Sequence, residues 1–130
     1  VDESRERVVT PEVVTALRQA GFLFAYLHGS RAVGRQRANS DVDVAAYFGG
    51  PLPPNSFDVL LPTGVDLLVL DNAPLELAGR VALGGKLLFD DDPAARVHWE
   101  AMTRKIYSDE LPRITRSHRE FVAALLDRTP

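Results

Sequence analysis

Apolar positions along the chain keep changing rhythm, and each change marks an element. Val13, Val14, Leu17 and Ala20 recur at helical spacing, with Thr10-Pro11 as cap and first turn and Gly21 as stop. An unbroken run follows, Phe22-Leu23-Phe24-Ala25-Tyr26-Leu27-His28, as in a buried strand. After a polar stretch, a second strand is predicted over about 42–48, ending in the surface loop Gly49-Gly50-Pro51-Leu52-Pro53-Pro54. Phe57–Leu61 and Val65–Leu70 read as further strands, joined by a turn at Pro62-Thr63-Gly64. Helical spacing returns after Asn72-Ala73-Pro74: Leu75, Ala78, Val81 and Ala82 make one stripe, closed by Gly84-Gly85. Lys86–Phe89 is a short strand. Asp92-Pro93 then caps a helix with Ala95, Trp99, Met102 and Ile106 on one side and a Glu100–Arg104 pair on another. A last helix carries Ile114, His118, Phe121, Val122 and Leu125.

The expected fold class is mixed α/β (α+β): a small mixed sheet with an acidic face, flanked by helices, the C-terminal ones spanning about 93–128. Residues 1–130 read as one domain, because neither side of the Pro/Gly loop has enough chain to fold alone.

Composition narrows the function classes. Without cysteine there is no disulfide framework, thiolate chemistry or thiolate metal site. No apolar stretch approaches the roughly 18 residues of a membrane span, and no signal-peptide pattern opens the chain, so a cytoplasmic address is the expectation. A net charge of −3 argues against a large nucleic-acid footprint, although Arg31, Arg35 and Arg37 suit a small local anion site.

The candidate chemistry lies where the first two strands meet. Gly29-Ser30 sits at a predicted strand-to-helix turn, where a residue without a side chain lets backbone N–H groups approach a phosphate. Ten residues later comes Asp41-Val42-Asp43, and alternation along a strand sends both carboxylates to one face. Paired carboxylates repel and are costly to desolvate without a cation, and hard oxygen donors suit Mg²⁺. Asp66 lies in an otherwise apolar strand, where an isolated carboxylate would be expensive. It joins Asp41 and Asp43 if its strand lies beside residues 42–48.

Gly-Ser, ten residues, Asp-x-Asp and a later strand Asp resemble the signature of the polymerase-β-like nucleotidyltransferase superfamily. More narrowly, Gly29-Ser30-Arg31-Ala32 with Ser40-Asp41-Val42-Asp43 is similar to minimal nucleotidyltransferase (MNT) antitoxins paired with HEPN ribonuclease toxins. The likeness runs through Val65-Asp66 to Ala73-Pro74 and Gly85–Phe89. It implies transfer of AMP from ATP to a tyrosine hydroxyl of the toxin, with release of pyrophosphate. It further implies a two-metal Mg²⁺ site made by Asp41, Asp43 and Asp66, which are also the catalytic residues. Gly29, Ser30, Arg31, Asp41 and Asp43 bind the nucleotide in this reading, and Asp66 also accepts the hydroxyl proton. The implied partner is the HEPN toxin in a hetero-oligomer, with no stable nucleic acid and no membrane. Two alternatives stay open: a binding-only antitoxin and a nucleotidyltransferase with a small-molecule acceptor.

Other polar residues have plainer readings. Asp90-Asp91-Asp92 reads as a solvated loop plus helix cap, and His28 as a packed strand-end histidine bordering the site. His98 and His118 read as helix residues, Trp99 and Met102 as core.

Overall fold

Seven elements carry the fold: α1 (Glu3–Gln19), β1 (Phe24–Leu27), β2 (Val42–Tyr47), β3 (Val65–Val69), α2 (Leu75–Gly84), β4 (Lys86–Asp90) and α3 (Pro93–Asp127). They are seen in a computed structural model that describes residues 3–28 and 42–127. The strands form one mixed sheet in the order β3-β2-β1-β4. β1 lies antiparallel to β2 and to β4, whereas β3 runs parallel to β2.

Alternation along the strands gives the sheet two apolar faces. Val42, Val44 and Ala46 of β2 and Ala25 of β1 pack with Val13 and Leu17 of α1. On the other face Phe24, Tyr26 and Ala45 meet Ala78, Val81 and Ala82 of α2 and Trp99 of α3. The two layers are tied at several points. The Tyr26 hydroxyl donates to Glu100 Oε2 at 2.7 Å. Arg96 bridges Asp90 at 2.5 Å and Glu100 at 3.1 Å. Arg18 of α1 donates to Asp91 at 2.8 Å and lies over the Phe89 ring. Gly79 lets α2 and α3 approach closely, since a Cβ there would fall on the Tyr107 ring.

Most elements lie where the apolar rhythm puts them, and five expectations need correction. Thr10-Pro11 is not the start of the first helix, because α1 begins at Glu3 and runs through Pro11. An interior proline loses one hydrogen bond and crowds the carbonyl four residues back, and α1 runs past Pro11 on its exposed side nonetheless. The two expected C-terminal helices are one, with Pro112 inside α3. Pairs such as Lys105–Asp109 and Glu110–Arg113 support the exposed turns around it. Phe57–Leu61 is not a strand: Ser56–Asp58 is a 3₁₀ turn, and Val59 and Leu61 pack on the core from outside the sheet. Met102 is exposed rather than core, because the inward stripe of α3 is Trp99, Thr103 and Tyr107, one position round the helix. The acidic triplet is also more than solvated. Asp92 Oδ1 accepts the Ala95 N–H as a cap, while Asp90 and Asp91 hold Arg96 and Arg18. Among the described residues, no helix is long and apolar enough to cross a membrane.

Candidate active site

The parallel pairing of β2 with β3 places Asp43 directly opposite Asp66, flanked by the pairs Val42–Val65 and Val44–Leu67. The flanking valines and Leu67 turn toward α1, so strand alternation turns both carboxylates to the α2–α3 face. Asp43 is only 4% exposed, and Asp66 is half-buried. β1 completes the row: the His28 N–H donates to the Asp43 carbonyl at 3.0 Å, extending the antiparallel ladder to the site. Burial pulls the His28 imidazole below its ordinary pKa, against the opposing pull of Asp43 and Asp66. A mostly neutral imidazole thus stands beside two carboxylates at neutral pH.

The elements behind the row hold it in place. Asp71, just beyond β3, accepts the backbone N–H groups of Phe48 at 2.8 Å and Gly49 at 2.7 Å. Its carboxylate fastens the exit of β2 to the exit of β3, with Gly49 in the left-handed region (φ +79°). Nothing in the spacing of Asp71 marks this duty, because the bond is to backbone groups far away in sequence.

Of the predicted site residues, Asp43 and Asp66 are brought together. Gly29, Ser30, Arg31 and Asp41 lie outside the described residues. Among the described residues, no group of three or more His, Cys, Asp or Glu side chains is placed to hold a metal ion. Two neighbouring carboxylates, one of them buried, are nonetheless a donor set that fits Mg²⁺, which takes one or two protein carboxylates alongside water and phosphate. Near the outer side of β3 there is also a cavity of about 220 Å³ lined by Asn55, Phe57, Leu67, Leu68, Val69 and Asn72, among others. Sequence patterning missed it, since it arises from a loop folding back beside an edge strand.

Comparison with known proteins agrees with the fold. The profile of the family described as "Polymerase beta, Nucleotidyltransferase" matches residues 13–94, and the chain belongs to that family. No curated protein matches it. Among solved structures, a toxin–antitoxin complex with AMP-PNP contains a chain 21% identical, with a TM-score of 0.59 over 90% of this chain and 98% of that one. The MntA–HepT toxin–antitoxin contains one 22% identical, with a TM-score of 0.54 over 86% and 98%. A complex of tri-AMPylated HEPN toxin from Shewanella oneidensis with MNT antitoxin gives 21% identity and a TM-score of 0.55 over 87% and 98%. At these identities the likeness is one of fold. The resemblance read from Gly-Ser and Asp-x-Asp is borne out in family and fold.

Proposed function

We propose that this nucleotidyltransferase is an antitoxin that transfers AMP from ATP to a tyrosine hydroxyl of a cognate HEPN ribonuclease toxin. The observation that carries the reading is the pairing of Asp43 with Asp66 on one face of the sheet. The fold shared with chains of toxin–antitoxin complexes, one holding a tri-AMPylated toxin, supports the choice of acceptor.

In this reading Gly29, Ser30 and Arg31 hold the β- and γ-phosphates, and Asp41, Asp43 and Asp66 hold Mg²⁺. The tyrosine oxygen attacks the α-phosphorus; a new P–O bond forms as the bridging α–β bond breaks, and pyrophosphate leaves. Asp66 takes the hydroxyl proton, and its half-buried position opposite Asp43 keeps it within the site. Bound Mg²⁺ would acidify the hydroxyl and neutralise charge on the departing pyrophosphate. His28, mostly neutral, adds no charge that would compete for the phosphates. The bulk and negative charge of AMP on the toxin then block its ribonuclease site.

Intact-mass analysis of the toxin after incubation with this protein, ATP and Mg²⁺ tests the proposal. One or more added AMP masses are expected, absent with the Asp41→Ala/Asp43→Ala variant. A tight complex with no mass change would replace transfer by protection through binding alone.

A further inference from the structure

The two edges of the sheet are built differently. β4 opens on Lys86, ends in Asp90 paired with Arg96, and breaks register against β1 between Ala25 and Tyr26. Charges and irregularities of this kind discourage another strand from adding. β3 has neither a Lys nor a register break, and its one charge, Asp66, belongs to the candidate site. It is the run Val-Asp-Leu-Leu-Val in unbroken parallel register with β2, and no described strand pairs with its outer side. The segment before β3 leaves large apolar side chains in solvent: Phe57 is 85% exposed and Leu60 93%. The cavity lined by Phe57 and Leu67–Val69 opens at this edge, with the amides of Asn55 and Asn72 in its wall. The strand and its flanking segments are acidic in sequence, although Glu76 is paired with Arg80. From Val42 to Gly79 the chain has no Lys or Arg, but it carries Asp43, Asp58, Asp66, Asp71 and Glu76.

We propose that an extended, basic segment of the acceptor protein adds as a strand to the outer edge of β3 and so delivers its tyrosine to Asp66. The proposal rests on the transfer reading above and names the way its substrate is held. Residues opposite one another on paired strands lie about 4.5–5.5 Å apart at Cβ, so the residue facing Asp66 stands at the site. Side chains two positions apart share a face, so a second one reaches Leu68, in the floor of the cavity beside Phe57. Main-chain hydrogen bonds would hold any extended segment, whereas the cavity and the acidic surroundings select an apolar or aromatic anchor between basic residues.

The test uses the whole protein and a short synthetic peptide bearing one tyrosine flanked by arginines. Two control peptides replace the arginines by glutamates or N-methylate alternate backbone amides. Binding is read without ATP, from backbone amide NMR shifts, and ATP–Mg²⁺ binding is measured separately. Shifts centred on residues 57 and 67–69 are expected, with affinity weakened roughly tenfold in either control and in the Phe57→Ala variant. Phe57 is exposed, so its loss leaves the fold intact. Absence of binding, shifts centred elsewhere, or equal binding of all three peptides would overturn strand addition. If strand addition fails while AMP still reaches the intact toxin, the transfer reading stands without it. If the peptide binds at β3 but no AMP reaches any acceptor, the transfer reading fails and the docking edge remains.

Discussion

Asp43 and Asp66 face one another across the parallel pair β2–β3, and Asp43 is nearly sealed from solvent. Like charges directly opposite on paired strands are destabilising by roughly 0.2–1 kcal/mol. An Asp43→Asn variant keeps the shape and removes one charge. Without divalent cations it should unfold at a higher temperature than the parent by the equivalent of about 0.5–1 kcal/mol. Its adenylyl transfer should meanwhile fall on the order of 10²–10³-fold. Melting curves in chelator and a transfer assay check both halves, and a less stable variant would show that the pair does not strain the fold.

His28 should make stability depend on pH. Its pKa is lower in the folded protein than in the unfolded chain, because burial disfavours the imidazolium more than Asp43 and Asp66 favour it. The unfolded state therefore binds more protons in the window just below its ordinary value of 6.5. This contribution to stability is full above that value and is lost as pH falls through the lowered folded one. Urea unfolding from pH 7.5 down to 5 should show the loss in the parent, and a His28→Asn variant should lack that component.

The Tyr26 hydroxyl bonded to Glu100 is the main polar link between β1 and α3. Burial first, and then the bond to Glu100, hold its pKa far above that of an ordinary phenol, so it stays a donor at all working pH values. Tyr26→Phe removes the donor while Arg96 still serves Glu100. A loss of about 1–2 kcal/mol in denaturant unfolding is expected, with unchanged secondary structure.

Gly79 should tolerate no side chain. A methyl group there would overlap the Tyr107 ring, and overpacking of this kind costs about 1–3 kcal/mol. Gly79→Ala should destabilise by that amount, and in the double variant with Tyr107→Ala the total loss should be smaller than the sum of the two single losses. Additive losses in the double variant would mean that the two residues do not share this contact.

Much of this could be read from the residues alone, because the informative patterns are local. The alternation of Val42, Val44 and Ala46 with Asp43 and Ala45 already assigns the acidic face of β2. The stripe Ala78, Val81 and Ala82 likewise assigns the buried side of α2. What escaped was decided elsewhere in the chain. Pro11 and Pro112 look like boundaries, yet both lie inside helices, in exposed turns. Phe57–Leu61 looks like a strand by composition, but with the sheet already arranged it lies outside it. Asp71 serves two backbone amides whose positions only the folded chain defines. The outer placement of β3 has the same origin, since strand order depends on long-range pairing.

That outer placement has a further consequence. Among the described residues β3 pairs along one side only, and an edge strand opens more readily than a central one, at a free energy below that of global unfolding. Asp66 travels with it, while Asp43 stays in the interior on β2. The two carboxylates would thus separate in a partly opened molecule that still has its helices and most of its core. On warming, catalytic competence should fade before the melting transition, and amide hydrogens of β3 should exchange ahead of those of β1 and β2. An occupant of the edge would close this route, so the acceptor itself would act as the brace that keeps the site assembled while it is being modified.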